Sequence, residues 1–169
     1  MKRIFGLWQL VGFAVTSLFG TLLHFLYKWS GGAVWLKPFS AVNESTFEHM
    51  KLIFWPMLLF AIAEWFFFKE HEGLLCIKLK GILIGLTLIP TLFYTYNGVI
   101  GKSPDFVNIA IFFIAGAVAF LHETHLFYSE KVNYYSQKKA FSILLVLALL
   151  FVLFSFKAPG LALFIPPAD

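Results

Sequence analysis

Five apolar stretches, each close to the roughly 20 residues that carry an α-helix across a bilayer core, decide what this chain can become. They run over residues 5–27, 49–68, 79–97, 106–121 and 140–156. The runs are continuous rather than alternating, which favours helices over a transmembrane β-barrel, the other way of satisfying backbone groups in lipid. Composition agrees: of 169 residues 60% are apolar and 13% charged, and a soluble domain of this size exposes too much surface to hide so much apolar matter. A free-standing soluble enzyme, a nucleic-acid-binding domain and a disordered chain are disfavoured on the same ground. The net charge of +4 comes from basic residues lying between apolar blocks. The expected fold is all-α, a polytopic transmembrane helix bundle forming one integral membrane domain over residues 1–169.

Topology follows from the basic residues. Lys2, Arg3, Lys69, Lys78, Lys80, Lys131, Lys138 and Lys139 fall on one side of the alternating spans, and Lys28, Lys37, Lys51, Lys102 and Lys157 on the other. Eight against five predicts a cytoplasmic N-terminus and an outside C-terminus in a multi-pass protein of the cell membrane. The first span is too long for a signal peptide and no small-x-small cleavage site follows it, so it is read as an anchor that stays.

Small residues recur at four-residue spacing: Gly12, Thr16 and Gly20 in the first span, Gly81 and Gly85 in the third, Ala115 and Ala119 in the fourth. Such stripes mark close helix contact, inside the bundle or across a homodimer face. Pro56 and Pro90 lie within spans and each frees a carbonyl there. Cys76, the single cysteine, has no companion for a disulfide or a metal and reads as structural. The apolar tail from Ala158 to Asp169 is expected along the outer interface.

An ionisable residue in or near a span is a functional candidate because its burial is expensive. The richer group is expected at the outer side. His24 lies on the last turn of the first helix, Asn43 to Lys51 opens the second helix, and Lys102 and Asp105 precede the fourth. Ser45-x-x-Glu48 is a capping box, with Glu48 reaching back to the helix start, and the helix dipole favours both Glu44 and Glu48 there. Lys51 is free to snorkel to the surface. His24, Asn43, Glu44, Glu48, His49, Lys51 and Asp105 form the candidate outer site. Within it, His24, Glu48 and His49 are the candidate metal ligands, a divalent ion such as zinc fitting that donor set. The inner group is Glu64, His71, His122, Glu123 and His125. Glu64 lies about 24 Å along the helix from Glu48 and is a candidate inner proton or ion station. The His122–His125 run has the wrong spacing for a zinc protease helix and is read as a solvated cytoplasmic edge.

On the segments His24-Phe25-Leu26-Tyr27-x-Trp29-Ser30-Gly31, Asn43-Glu44-Ser45-x-x-Glu48-His49-x-Lys51 and Gly98-x-x-Gly101-Lys102 with Asp105, the chain resembles an uncharacterised family of small bacterial polytopic membrane proteins. It departs from that family's pattern at Lys28 and Phe47, where the family often carries an acidic residue and a tryptophan. The resemblance implies a bacterial membrane placement and no particular activity.

Three functional readings follow. The first is binding or transport of a cation, proton or small polar solute through the outer cleft. The second is an intramembrane metal-dependent hydrolase of lipid or peptide, with zinc on His24, His49 and either Glu48 or Asp105. The third is a structural or accessory protein. Membrane lipids and a second copy of the chain are the expected partners, and nucleic acid is not.

Overall fold

The computed structural model describes residues 2–68, 70–71, 73–129 and 137–167. Lys69, Lys131, Ala168 and Asp169, and the side chains of Lys2 and Arg3, lie outside it. Five long helices run up and down: α1 (Lys2–Trp29), α2 (Thr46–Phe68), α3 (Leu74–Val99), α4 (Asp105–Tyr128) and α5 (Gln137–Phe156). All five are long and apolar enough to cross a membrane, and no strand is present among the described residues. This is the build of a multi-pass membrane protein.

The first four helices close into a ring in chain order, α1 against α2, α2 against α3, α3 against α4, and α4 back against α1. Helix α5 lies outside that ring on α3, and its Phe151 reaches the rings of Phe47 and Phe54 of α2. The core is Ile53, Phe54, Met57 and Phe60 of α2 with Ile82, Leu86, Ala115, Ala119 and Phe120 of α3 and α4. Large apolar side chains of α1 and α5, such as Leu7, Leu18, Leu149 and Leu153, are exposed, as a lipid-facing surface requires.

The small-residue stripes pack inside this ring. A Cβ on Gly12 would run into the rings of Phe60 and Phe120, one on Gly85 would lie 2.9 Å from Ile53 Cδ1, and Ala115 and Ala119 are fully buried. Pro56 removes the helical donor that the Leu52 carbonyl would otherwise have. Gly20 of α1 faces that carbonyl, and a Cβ there would stand 2.6 Å from it.

The helices outrun the expected spans at several ends, and at two of them the reading of a charge changes. Leu74–Lys78 and His122–Tyr128 continue α3 and α4 rather than forming loops. Lys78 is 1% exposed and Glu123 0%, so Lys78 is no loop charge and Glu123 no part of a solvated edge. His125 is exposed and His122 half-buried. The reason is pairing, since Lys78 bonds Glu123 at 2.5 Å and a charge with a partner can enter a helix interior.

The connection from Ser30 to Ser45 folds back into the bundle instead of projecting from it. Gly31 and Gly32 have φ of 71° and 84°, a left-handed pair that turns the chain sharply. The 3-10 turn Val34–Leu36 follows. Trp55 Nε1 donates to the Pro38 carbonyl at 2.7 Å. The Ser40 hydroxyl accepts from the Tyr27 amide at 2.8 Å and donates to the Leu23 carbonyl. The C-terminal tail packs too, with Phe164 4.5 Å from the Phe47 ring.

Candidate metal-binding site

The folded-back connection brings Glu44 between two histidines. Its Oε2 lies 3.5 Å from His24 Nε2 and 3.4 Å from His49 Nε2, and the two imidazole rings are 5.5 Å apart. One donor atom from each of the three falls within 4.8 Å of the others. Helix α1 supplies His24 from its last turns, α2 supplies His49 from its first, and the loop supplies Glu44.

The start of α2 explains why Glu44 rather than Glu48 takes that place. The Ser45 hydroxyl accepts from the Glu48 amide at 3.4 Å, half of the expected capping box. The other half is missing: the Ser45 amide goes to Asn43 Oδ1 at 2.8 Å. Glu48 instead turns inward, where its Oε2 accepts the Val42 amide at 2.7 Å and pairs with Lys51 at 2.6 Å. Lys51 does not snorkel. It is 0% exposed and donates to the Lys37 carbonyl at 2.6 Å and to Ser155 Oγ at 3.2 Å. The buried Glu48–Lys51 pair thus ties the loop, α2 and α5 together. His49, about 100° further around the helix, is left facing α1.

The electrostatics of the three-residue cluster turn on what lies between the imidazole nitrogens and the carboxylate. His49 Nδ1 lies 3.0 Å from the Ser45 carbonyl, a pure acceptor, so Nδ1 carries a hydrogen and Nε2, which faces the Glu44 carboxylate, is the nitrogen that takes up a proton or a metal ion. A lone pair facing a carboxylate is repulsive unless a proton or a metal ion sits between them. Glu44 answers to this surrounding: its carboxyl is held down at about 2, against an ordinary 4.5, by its hydrogen bond to His49 first, with the charges of His49 and His24 adding, while partial burial opposes the shift. The N···O separations exceed the 2.7–2.9 Å of a direct charged hydrogen bond. The two N···O separations lie near the edge of about 3.3 Å that a tetrahedron of ligands has around zinc at about 2.0–2.1 Å, and the third pair of donor atoms lies within 4.8 Å. Beside the cluster is a cavity of about 170 Å³ lined by His24, Phe25, Lys28 and Ala41 to Glu44, wide enough for a few water molecules.

Of the candidate residues, His24, Glu44 and His49 come together. Asn43 fixes the loop, Glu48 and Lys51 form the internal pair, and Asp105 is exposed in the first turn of α4, outside the cluster. Asn97, also at this end, holds the turn between α3 and α4 through Ser103. Glu64 lies far from all of these, near the other end of α2. It accepts a hydrogen bond from Gln9 Nε2 at 2.5 Å and pairs with Lys78, which also bonds Glu123.

Reading the sequence for spans and loops misses Gln9 and misplaces Lys78 as a loop charge and Glu123 as part of a solvated edge. A signal for them exists. Gln9 precedes Gly12, Thr16 and Gly20 by one helical turn, Lys78 precedes Gly81 and Gly85, and Glu123 follows Ala115 and Ala119. Each prolongs an inward-facing stripe.

A family of unknown function, DUF6512, matches residues 3–168, and the chain belongs to it, in keeping with the resemblance to an uncharacterised family. No curated protein and no solved structure matches the chain.

Proposed function

We propose that this member of DUF6512 is a multi-pass membrane protein that binds a divalent cation of the zinc class through His24 Nε2, Glu44 and His49 Nε2. The observation that carries the reading is the contact of His49 Nδ1 with the Ser45 carbonyl, which leaves Nε2, facing the Glu44 carboxylate, as the nitrogen that takes a proton or a metal ion. A backbone carbonyl fixing the far nitrogen is also the usual second partner of a metal-bound histidine. The orientation belongs to the proposal. Removing the internal Lys78 and Lys51 from the charge count leaves seven against four, the same direction of bias. The cluster would then face the outside of a bacterial cell membrane, with lipid around the exposed faces of α1 and α5.

Binding is favoured over hydrolysis by the position of the carboxylates. With Glu44 as ligand, a hydrolase needs a second carboxylate as general base. Glu48 is engaged with Lys51 and the Val42 amide, and Asp105 is outside the cluster. A transport role needs a second conformation, because apolar side chains including Ile53, Met57, Phe60 and Phe120 fill the bundle between the cluster and Glu64.

The test is calorimetric titration of the chelator-stripped protein in nanodiscs with Zn²⁺. Four ligands share about 10–16 kcal/mol in a structural zinc site. Losing one is therefore worth about 3 kcal/mol, or about 100-fold in affinity. His24→Ala, His49→Ala and Glu44→Gln should each weaken binding by about that factor, and Asp105→Asn should not. Equal affinity in the wild type and in the double His24→Ala/His49→Ala variant overturns the proposal.

A further inference from the structure

At the end of the bundle opposite the histidines, each ring helix sends one polar side chain to a common point. Gln9 comes from α1, Glu64 from α2, Lys78 from α3 and Glu123 from α4. All four are buried, with exposures of 3%, 0%, 1% and 0%. Lys78 Nζ pairs with Glu64 Oε2, bonds Glu123 Oε2 at 2.5 Å and lies 3.3 Å from Gln9 Oε1. Aromatic rings close the group on both sides. Phe5, Phe60 and Phe120 lie 5.7, 5.9 and 5.7 Å from the ammonium, and Phe5 stacks on Phe127 at 3.5 Å beyond it.

The charge does not balance as drawn. Two carboxylates and one ammonium leave a net negative charge in a site with no contact with water, and an unbalanced buried charge is among the costliest things a fold can hold. The charged groups facing Glu123 are Glu64 of α2 and Lys78 of α3. Helix α1 contributes the neutral Gln9, and α5 contributes nothing to the group among the described residues. One bound proton makes the cluster neutral.

The two carboxyls are not equivalent hosts for that proton. Glu64 receives a hydrogen bond on Oε1 from Gln9 at 2.5 Å, and its Oε2 faces the ammonium as an ion pair without a hydrogen bond, so both of its oxygens lie against a donor group. Glu123 receives only the ammonium, on Oε2. Its Oε1 is fully buried with no hydrogen-bond partner and packs against Gly81, where a Cβ would occupy the carboxyl's own place. We infer that Gln9, Glu64, Lys78 and Glu123 form a buried proton-binding site, in which Glu123 carries the proton and Glu64 carries the charge that balances Lys78. The site is independent of the metal reading, since substitutions here leave His24, Glu44 and His49 untouched.

Infrared difference spectroscopy of the full chain in nanodiscs tests this directly. The wild type should show the carbonyl stretch of a protonated carboxylic acid at neutral pH, lost on strong alkalinisation. Glu123→Gln, the neutral isostere of the inferred state, should fold, melt no lower than the wild type and lack that band. Glu64→Gln should lose it as well, because the one remaining carboxyl then ionises against Lys78. A wild type without the band, a band that survives in Glu123→Gln, or a Glu123→Gln protein that does not accumulate folded each overturns the inference.

Discussion

The two polar groups of this protein use the same chemistry at opposite depths. At one end, Glu44 stands between two histidines with its side chain 65% exposed, beside a cavity and with longer separations than a direct charged hydrogen bond. At the other, Glu64, Lys78 and Glu123 are sealed among aromatic rings with contacts at hydrogen-bond distance. The lesson is that burial decides what a carboxylate needs. The exposed group, on the proposed reading, borrows its cation from solvent. The sealed group must carry its cation in the chain, which makes Lys78 a part of the fold.

Breaking the sealed group should therefore cost the most. Lys78→Met leaves two carboxyls without their ammonium, and losing one partner of a buried pair costs about 3–5 kcal/mol. The expected outcome is a large drop in melting temperature and in yield of monodisperse protein. Combining it with Glu64→Gln and Glu123→Gln should recover most of the loss. Gly81→Ala pushes a methyl group onto the Glu123 carboxyl, and overpacking of this kind costs about 1–3 kcal/mol, measurable in the same melts. Ser45→Ala removes the side chain that caps α2 at about 1 kcal/mol, and should weaken metal binding less than loss of a ligand does.

The smallest effect on stability should come from Glu44→Gln, within about 1 kcal/mol as for exposed ion pairs generally, although the same change removes a proposed ligand. Its pH dependence has a definite sign. Because the folded-state value of Glu44 is lowered from 4.5 to about 2, its contribution is complete above about pH 4.5 and is lost as the pH falls towards 2. The melting difference between the wild type and Glu44→Gln should shrink across that window. A difference constant from pH 6 to pH 2, on the order of the whole effect, would show that the carboxylate is not held by the histidines.

Much of this was legible in the sequence, and the failures share a cause. Hydropathy marks all five helices, since crossing a bilayer and filling a bundle both demand long apolar runs. It misplaces the ends at Lys78 and Glu123, because a charge reads as loop when its partner sits on another helix. His24 and His49 fall at the same depth by residue counting alone. The choice between Glu44 and Glu48 does not follow from counting. Both acids suit a helix start, and what separates them is the internal Lys51 together with a loop amide, Val42, that only the folded connection brings near. Lys51 itself defeats the usual expectation, because Ser155 from α5 and the Lys37 carbonyl offer it partners that no local pattern announces.

The hydroxyl of Ser40 stands between Tyr27 N–H and Leu23 C=O, two groups that an uninterrupted α-helix would join directly. The end of α1 is thereby spliced into the loop, with His24 inside the splice and Glu44 four residues beyond Ser40. Those two side chains consequently travel as one piece. If the loop lifts, the last turn of α1 loses its crosspiece, and His24 loosens together with Glu44. The Tyr27 amide should then exchange its hydrogen at the rate of loop opening rather than of helix fraying, which makes one backbone proton a clock for how often the site comes apart.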